Sequence, residues 1–222
     1  MLDVLFEDGS LLVLNKPSGV SVLDDRTGAP CLLPELKAAY ARPRLLHRLD
    51  KGTSVILLVA LDRHAQRDLS RAFNARAVRK HYVAVLCGHL PSGRTLTIDL
   101  PLRQGRKSRY RVAGLREEIR PTRDGWTIDA EGGHASMTRV RAIARGEKRT
   151  LVAVQPITGR SHQVRVHLSW IGHALAGDHL YGSPASKEQS HPRLALHCHR
   201  VFAPGYGTFS APVPEDVFSA LY

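Results

Sequence analysis

The stretch Leu45-Leu46-His47-Arg48-Leu49-Asp50-Lys51-Gly52-Thr53-Ser54, followed by the apolar run from Val55 to Ala60, decides much of the fold. The apolar, β-branched run predicts a buried strand. Asp50 comes shortly before it, next to a lysine and close to an arginine and a histidine. Because nearby positive charge favours the ionised form of a carboxyl group, we expect Asp50 to be an anion at the mouth of a sheet. Such a carboxylate is a candidate nucleophile or base. The alternative is an aspartate that caps a turn or forms a surface ion pair.

The net charge of the chain favours a polyanionic partner. Its 222 residues include 32 Lys and Arg against 20 Asp and Glu, a formal net charge of +12. Basic side chains that neutralise phosphates release condensed counterions, and this release drives binding to nucleic acids. We therefore expect a nucleic-acid partner. The alternative is a basic but otherwise ordinary soluble enzyme.

The sequence also predicts where the protein acts. The amino-terminal residues lack the basic region and apolar core of a signal peptide. No apolar run approaches the roughly 18–20 residues that span a bilayer. Cys31, Cys87 and Cys198 are odd in number and far apart, which is typical of reduced thiols. We expect a cytoplasmic protein.

The spacing of apolar residues predicts many strands and few helices. The predicted strands cover residues 4–6, 11–14, 82–86, 96–100, 138–143, 151–154 and 194–201. One helix is predicted from a cap at Asp62 to about Ala77, and another over 163–171, with Thr158 or Ser161 as its cap. Since strands and helices do not alternate regularly, the pattern favours an α+β fold on a mixed, mainly antiparallel sheet. A single catalytic domain that fills the chain is the simplest organisation.

The segment from Arg103 to Arg123 is unusually basic and breaks this regularity. It contains two acidic residues, Glu117 and Glu118, and one tyrosine, Tyr110, among its cations. The cations are Arg103, Arg106, Lys107, Arg109, Arg111, Arg116, Arg120 and Arg123. This composition is typical of a mobile arm that settles onto RNA phosphates. The alternative is a solvated connection between two strands.

Six motifs follow one another along nearly the whole chain. They are Val4 to Gly19, His47 to Ser54, Lys80-His81-Tyr82, Thr158 to His167, Gly177 to Gly182, and Arg193 to His197. In content and order these motifs resemble those of the RluA-type pseudouridine synthases, which isomerise uridine in rRNA and tRNA. Because the resemblance begins at Val4, we expect the chain to lack the small amino-terminal RNA-binding domain of many relatives.

Two positions depart from the family pattern. Val55 stands where the family signature usually has glycine, and Ser161 stands where a later motif usually has threonine. Serine keeps the hydroxyl group and its hydrogen-bonding capacity. Neither departure removes a side chain to which the resemblance gives a catalytic role.

The resemblance implies the pseudouridine synthase fold and an isomerisation that needs no cofactor. In this reaction the N1–C1′ bond of uridine breaks, the uracil turns, and it rejoins the sugar through C5. The resemblance implies that Asp50 is the essential carboxylate, which attacks the sugar or the base or abstracts a ribose proton. By the same resemblance Arg165 pairs with Asp50, and Tyr82 lies against the uracil as a candidate base for the C5 proton. Arg48 has the planar group needed to fill the stack that the flipped uridine vacates.

We expect a monomer that binds structured RNA, either tRNA or rRNA. The predicted substrate-binding residues are His47, Arg48, Arg106, Lys107, Arg109 and Arg160. No metal is expected, because the chain has 12 His but lacks the close spacings that are typical of metal sites. Two alternatives are a non-catalytic RNA-binding protein that keeps the fold and a nucleic-acid hydrolase. The hydrolase would need a second carboxylate, and none stands in the motif of Asp50.

Overall fold

The chain forms two compact units. In the computed structural model, the described residues are 2–24, 31–47, 50–106, 109–182 and 191–221. The first unit comprises residues 1–80 and 197–213, and the second comprises 81–196 and 214–222. That both units belong to one catalytic domain stays a prediction.

The first unit is built on a strand that is buried along its whole length, β4 (Ser54–Ala60). Strand β2 (Leu11–Lys16) pairs with β4 antiparallel over its full length. The other edge of β4 pairs with β13 (Leu196–Ala203) in parallel and with β3 (Arg44–Leu45) antiparallel. The remaining elements are β1 (Val4–Glu7), β14 (Gly207–Ser210), α1 (Leu32–Ala39) and α2 (Arg63–Asn74).

Helix α2 confirms the helix that was predicted from the cap at Asp62. The Asp62 carboxylate accepts a hydrogen bond from the backbone N–H of Ala65 at 2.8 Å, which satisfies a donor that the first turn leaves open. Ala65 and Leu69 are buried on one face. The helix ends at Asn74, slightly earlier than predicted, and Arg76 has a left-handed backbone with φ +57°, which is incompatible with a continuing helix.

The second unit holds a sheet of six strands among its described residues. Their order is β5 (Arg79–Cys87), β12 (Arg149–Pro156), β11 (Met137–Arg145), β6 (Leu96–Asp99), β10 (Gly125–Thr127) and β9 (Arg120–Thr122). Neighbours are antiparallel except β6 and β10, which are parallel. The other elements are the hairpin of β7 (Leu102–Gln104) and β8 (Tyr110–Val112), a 3₁₀ helix (Arg116–Glu118), α3 (Gln163–Trp170) and α4 (Glu215–Ser219).

These pairings confirm the predicted α+β fold with a mixed, mainly antiparallel sheet. Helix α3 was predicted at the right place, but the predicted caps were wrong. His162 occupies the N-cap with a left-handed backbone, φ +56°, and its side chain caps no backbone group. Among the described residues, no helix is both long enough and apolar enough to cross a membrane.

The basic segment is more ordered than the sequence indicated. Its described residues include the β7–β8 hairpin, the 3₁₀ helix and β9 rather than an irregular arm. Leu102 and Val112, which pair across the hairpin, are buried in the core of the second unit. The strands of this hairpin are only three residues long, and arginines occupy their outward positions, so the alternation typical of a strand is hard to see in the sequence.

Candidate active site

Asp50 lies on a turn that is fastened to the loop following β2. The Asp50 side chain is half-buried, and the turn leads directly into β4. The carbonyl of Lys51 accepts a hydrogen bond from the N–H of Gly19 at 2.9 Å. The carbonyl of Gly52 accepts one from the Ser18 hydroxyl at 2.6 Å. The loop after β2 therefore holds the backbone that follows Asp50 in place.

A buried lysine strengthens this attachment. Lys16 is 1% exposed, and its Nζ donates to the carbonyls of Pro17 at 2.8 Å, Val20 at 2.9 Å and Lys51 at 3.4 Å. A buried ammonium group is costly unless its donors are satisfied. Lys16 meets this condition with backbone carbonyls of both loops, so it holds the Asp50 turn and the loop after β2 together.

The residues around the turn are packed closely in the first unit. The His47 ring lies 4.8 Å from the Phe73 ring, measured between centroids, and Lys80 Nζ lies 5.1 Å from the same centroid. Burial lowers the pKa of Lys80. Val55, which replaces the usual glycine, is fully buried within β4. An extended strand suits a β-branched side chain, so the substitution fits its position.

Arg165 forms a buried, bidentate ion pair with Asp178. The Arg165 Nε lies 2.9 Å from Asp178 Oδ2, and the Nη2 lies 2.8 Å from Oδ1. The residues are 7% and 4% exposed. The Asp178 carboxylate also accepts the backbone N–H groups of Leu180 and Tyr181. The sequence pattern alone assigns no role to Asp178, although this residue lies in the motif from Gly177 to Gly182. The pairing of Arg165 with Asp50 stays a prediction.

Glycine is required immediately before Asp178. Gly177 has φ +72°, and a Cβ on it would lie 2.0 Å from the carbonyl oxygen of Arg193. The conformation disfavours any side chain, and the close approach excludes one. Gly177 therefore allows the turn that aims the Asp178 carboxylate at Arg165.

Tyr181 connects this ion pair to the basic hairpin. The Arg165 guanidinium lies 5.1 Å from the centroid of the Tyr181 ring, a cation–π distance. The Tyr181 hydroxyl accepts the N–H of Tyr110 at 2.9 Å and contacts His162 Nδ1 at 2.7 Å. Helix α3, the Asp178 turn and β8 are thus joined through one side chain.

Gln163 fixes the loop that carries Arg160. Its buried amide oxygen accepts hydrogen bonds from the Thr158 hydroxyl at 2.6 Å and the Arg160 N–H at 3.0 Å. Its amide nitrogen donates to the Met137 carbonyl and the Thr138 hydroxyl. The Arg160 Nε is buried and has no hydrogen-bond partner among the described residues. A ligand that accepts hydrogen bonds would satisfy this donor.

His167 anchors α3 to the sheet as a neutral side chain. Its Nε2 lies 2.9 Å from the Leu100 carbonyl and therefore carries the proton, while Nδ1 accepts from the Thr138 hydroxyl at 2.9 Å. Burial lowers the pKa of His167 to about 4, against the smaller, opposing effect of the Leu100 hydrogen bond. The histidine is thus held uncharged near neutral pH.

The predicted site residues are distributed over both units. Asp50 and His47 belong to the first unit. Tyr82 is half-buried on β5 and packs against the core of the second unit. Arg165 lies on α3 of the same unit. Three more predicted residues lie in the second unit, namely Arg106 and Arg109, both exposed in the hairpin, and the half-buried Arg160. Two others, Arg48 and Lys107, lie outside the described residues.

The described residues form an α+β fold on a mixed, mainly antiparallel sheet, and comparison with known proteins shows the family of the chain. Residues 10–170 match the family model described as RNA pseudouridylate synthase. The chain is 35% identical over 219 residues to the dual-specificity RNA pseudouridine synthase RluA of Escherichia coli O6:H1, covering 95% of this chain and 93% of the relative. The corresponding protein of Haemophilus influenzae is 33% identical over 199 residues, with coverages of 88% and 84%. The chain belongs to the RNA pseudouridylate synthase family, and its class is that of an isomerase.

Solved structures agree with this assignment. Human RNA pseudouridylate synthase domain containing 1 aligns with a TM-score of 0.77 and 27% identity, over 96% of this chain and 83% of the human chain. Human RNA pseudouridylate synthase domain containing 4 aligns with a TM-score of 0.78 over 99% and 92%. At 23% identity the second likeness shows the fold alone.

The ion pair of Arg165 predicts a large effect of Asp178→Asn on stability. Loss of one partner of a buried pair leaves the other charge uncompensated, so we expect the free energy of unfolding to fall by about 3–5 kcal/mol. Asp124→Asn is the matched control, because Asp124 is an exposed partner of Arg94 at 3.8 Å and such pairs contribute about 0–1 kcal/mol. Urea denaturation at pH 7 measures the free energy of unfolding of the wild type and of both variants. Equal losses in the two variants would contradict the prediction.

The lowered pKa of His167 predicts a pH-dependent contribution to stability. In the unfolded chain this histidine takes up a proton near its ordinary pKa of 6.5, whereas the folded protein resists protonation down to about pH 4. The contribution of His167 to the free energy of unfolding is therefore complete above pH 6.5. It declines as the pH falls, by about 3 kcal/mol at pH 4. In His167→Gln this part of the pH dependence should vanish. Urea denaturation of both proteins between pH 7.5 and 4 tests this, and parallel pH profiles would refute it.

Proposed function

We propose that this RNA pseudouridine synthase uses Asp50 as its essential carboxylate. The main observation in support is the position of Asp50, on a turn held by hydrogen bonds from Lys16, Ser18 and Gly19 at the start of the buried strand β4. This turn also lies inside the part of the chain that matches the family model. A carboxylate on a fixed backbone is presented to a substrate with little loss of freedom upon binding.

The reaction conserves the atoms of the nucleotide. The N1–C1′ bond breaks, a C5–C1′ bond forms, the proton on C5 leaves, and N1 of the turned uracil ends as an N–H group. Asp50 attacks the sugar or the base, or removes a ribose proton. All three routes need an anionic carboxylate, so the charge of Asp50 is the feature to test.

We propose supporting roles for Tyr82 and Arg165. The Tyr82 ring lies against the uracil, and its oxygen accepts the C5 proton late in the reaction. Arg165 holds Asp50 ionised and aimed. Its ion pair with Asp178 engages Nε and Nη2, and a guanidinium group carries five N–H donors in total. A second carboxylate contact is therefore compatible with the first.

The proposed substrate is structured RNA, either tRNA or rRNA, bound by a monomer in the cytoplasm. The target uridine must leave its stack, and Arg48 fills the vacated space. His47 binds the RNA near the target, as does Arg160, whose buried Nε has no hydrogen-bond partner in the described part of the chain. The bacterial relatives are named for dual specificity, which is a reason to test both RNA classes side by side.

The first functional prediction concerns Asp50→Asn. Asparagine is nearly isosteric with aspartate but carries no negative charge, so tritium release from RNA labelled at uracil C5 should fall by at least about a thousandfold. The affinity for the RNA should stay within a few-fold of wild type. The reaction mixture contains total tRNA or rRNA and no added metal or nucleotide.

The matched control is Asp24→Asn, which changes an exposed aspartate of the same unit and should release tritium at the wild-type rate. Full activity of Asp50→Asn would refute the role of Asp50. Wild-type protein that binds RNA without releasing tritium would instead indicate the non-catalytic alternative. Loss of turnover upon addition of a chelator would refute a cofactor-free reaction.

The hairpin arginines predict a change in the salt dependence of RNA binding. Each phosphate contact contributes about 0.7–0.9 to the slope of log K against log salt concentration. Replacing Arg106 and Arg109 by alanine should therefore lower the magnitude of this slope by about 1.4–1.8. The control variant replaces Arg139 and Arg141, which are exposed on β11. Filter binding between 50 and 300 mM salt gives the slope for the wild type and for each variant. If the hairpin variant keeps the wild-type slope, the hairpin does not contact phosphate.

A further inference from the structure

A cavity in the second unit lies between the basic hairpin and the turn that follows Asp178. Its volume is about 360 Å³, within the range of small-ligand sites. The space is roughly ten times the share of one water molecule in the liquid, which is about 30 Å³. The side chains that characterise it are Arg106, Arg109, Tyr110, Arg111, Leu180 and Tyr181. We refer to it as the Tyr181 cavity.

One side of the Tyr181 cavity is strongly cationic. Arg106, Arg109 and Arg111 are exposed, and none of the described residues forms an ion pair with them. Among the described residues that line the cavity, none is acidic. Guanidinium groups bind phosphate through paired hydrogen bonds, so this side suits a phosphate group.

The lining also offers a surface for stacking. Leu180 is 42% exposed although it lies next to the half-buried rings of Tyr110 and Tyr181. The His162 ring contacts both tyrosines edge-on, at centroid distances of 5.7 and 5.6 Å. These contacts fix the rings before any ligand binds. A planar base could therefore stack here without ordering the aromatic side chains.

We propose that the Tyr181 cavity binds one unstacked nucleotide of the substrate RNA that is not the target uridine. Its base stacks on Leu180 and the tyrosines, and its 5′ phosphate contacts the arginines. The nucleotide is distinct from the target because Tyr82, which is proposed to lie against the target uracil, is not among the described residues that line the cavity. The inference rests on the proposed RNA substrate and adds to it a second nucleotide subsite.

The geometry gives this subsite a link to the proposed catalytic residues. A base in the cavity contacts the Tyr181 ring, and that ring lies over the guanidinium of Arg165. The Tyr181 hydroxyl also holds Tyr110 through its backbone N–H. Recognition of the second nucleotide therefore takes place on the side chain that packs against Arg165.

The test compares three probes by NMR on the isotopically labelled full chain. The probes are cytidine 5′-monophosphate, cytidine and inorganic phosphate. We expect the monophosphate to shift the amide signals of Gly105, Tyr110 and Leu180, and to bind about tenfold more tightly than phosphate, since stacking and phosphate contacts act together. Equal affinities for phosphate and monophosphate, or shifts confined to other residues, would overturn the proposal.

Variants separate the subsite from a general charge effect. Leu180→Ala removes part of the stacking surface and leaves every arginine in place, so the preference for the monophosphate over phosphate should drop by at least about threefold. In the tritium-release assay the same variant should raise KM for RNA several-fold. The control is Ile143→Ala, which removes an exposed apolar side chain on β11 and should change neither value. An unchanged KM and an unchanged preference in Leu180→Ala would refute the subsite.

The two proposals fail separately. If wild-type protein releases tritium from RNA but the monophosphate does not bind the Tyr181 cavity, the subsite is refuted and the proposed function stands. If the monophosphate binds but RNA releases no tritium, the proposed catalytic role falls, and with it the assignment of the cavity to an RNA substrate of this reaction.

Discussion

The positions of the Asp178 turn, Tyr181 and the basic hairpin depend on the buried ion pair between Arg165 and Asp178. A buried charge without a partner costs several kcal/mol, so both side chains must stay where their bonds are satisfied. Two guanidinium bonds and two backbone N–H groups meet on one carboxylate. They fix the start of the turn at Gly177 and the position of Tyr181, which in turn holds the hairpin at Tyr110. The relative positions of helix α3, the Asp178 turn and the basic hairpin thus depend on the same buried ion pair.

The first unit also depends on a buried cation. The Lys16 ammonium group is buried among the carbonyls of Pro17, Val20 and Lys51, and through Lys51 it holds the Asp50 turn. In the first unit the buried cation fixes the backbone next to Asp50, whereas in the second unit the buried cation is Arg165 itself, held by Asp178. Such supports keep reactive groups in place without help from the substrate, which is how a site avoids reorganisation during the reaction.

Secondary-structure elements with a clear periodicity of apolar residues or a clear helix cap could be predicted from the sequence. Features that depend on contacts between distant residues could not. The buried strand β4 and the helix capped by Asp62 follow from local patterns. The caps predicted for α3 were wrong, because the Thr158 hydroxyl bonds to the side chain of Gln163 instead. Helix α1 was missed, since it is short and has a proline in its first turn. Asp178 was missed as a partner of Arg165 because nothing local shows which cation a carboxylate meets.

Two sets of arginines in the second unit differ in what they contact. Arg165 and Arg193 form bidentate pairs with aspartates, and the Arg193 contact lowers the pKa of Asp216. These cations hold the fold together and are neutralised within it. Arg106, Arg109 and Arg111 lie exposed around the Tyr181 cavity without an acidic partner among the described residues. These three arginines lie on a hairpin whose Leu102 and Val112 are buried in the core, so the proposed contact with RNA phosphates would be made by an ordered surface rather than by a mobile arm.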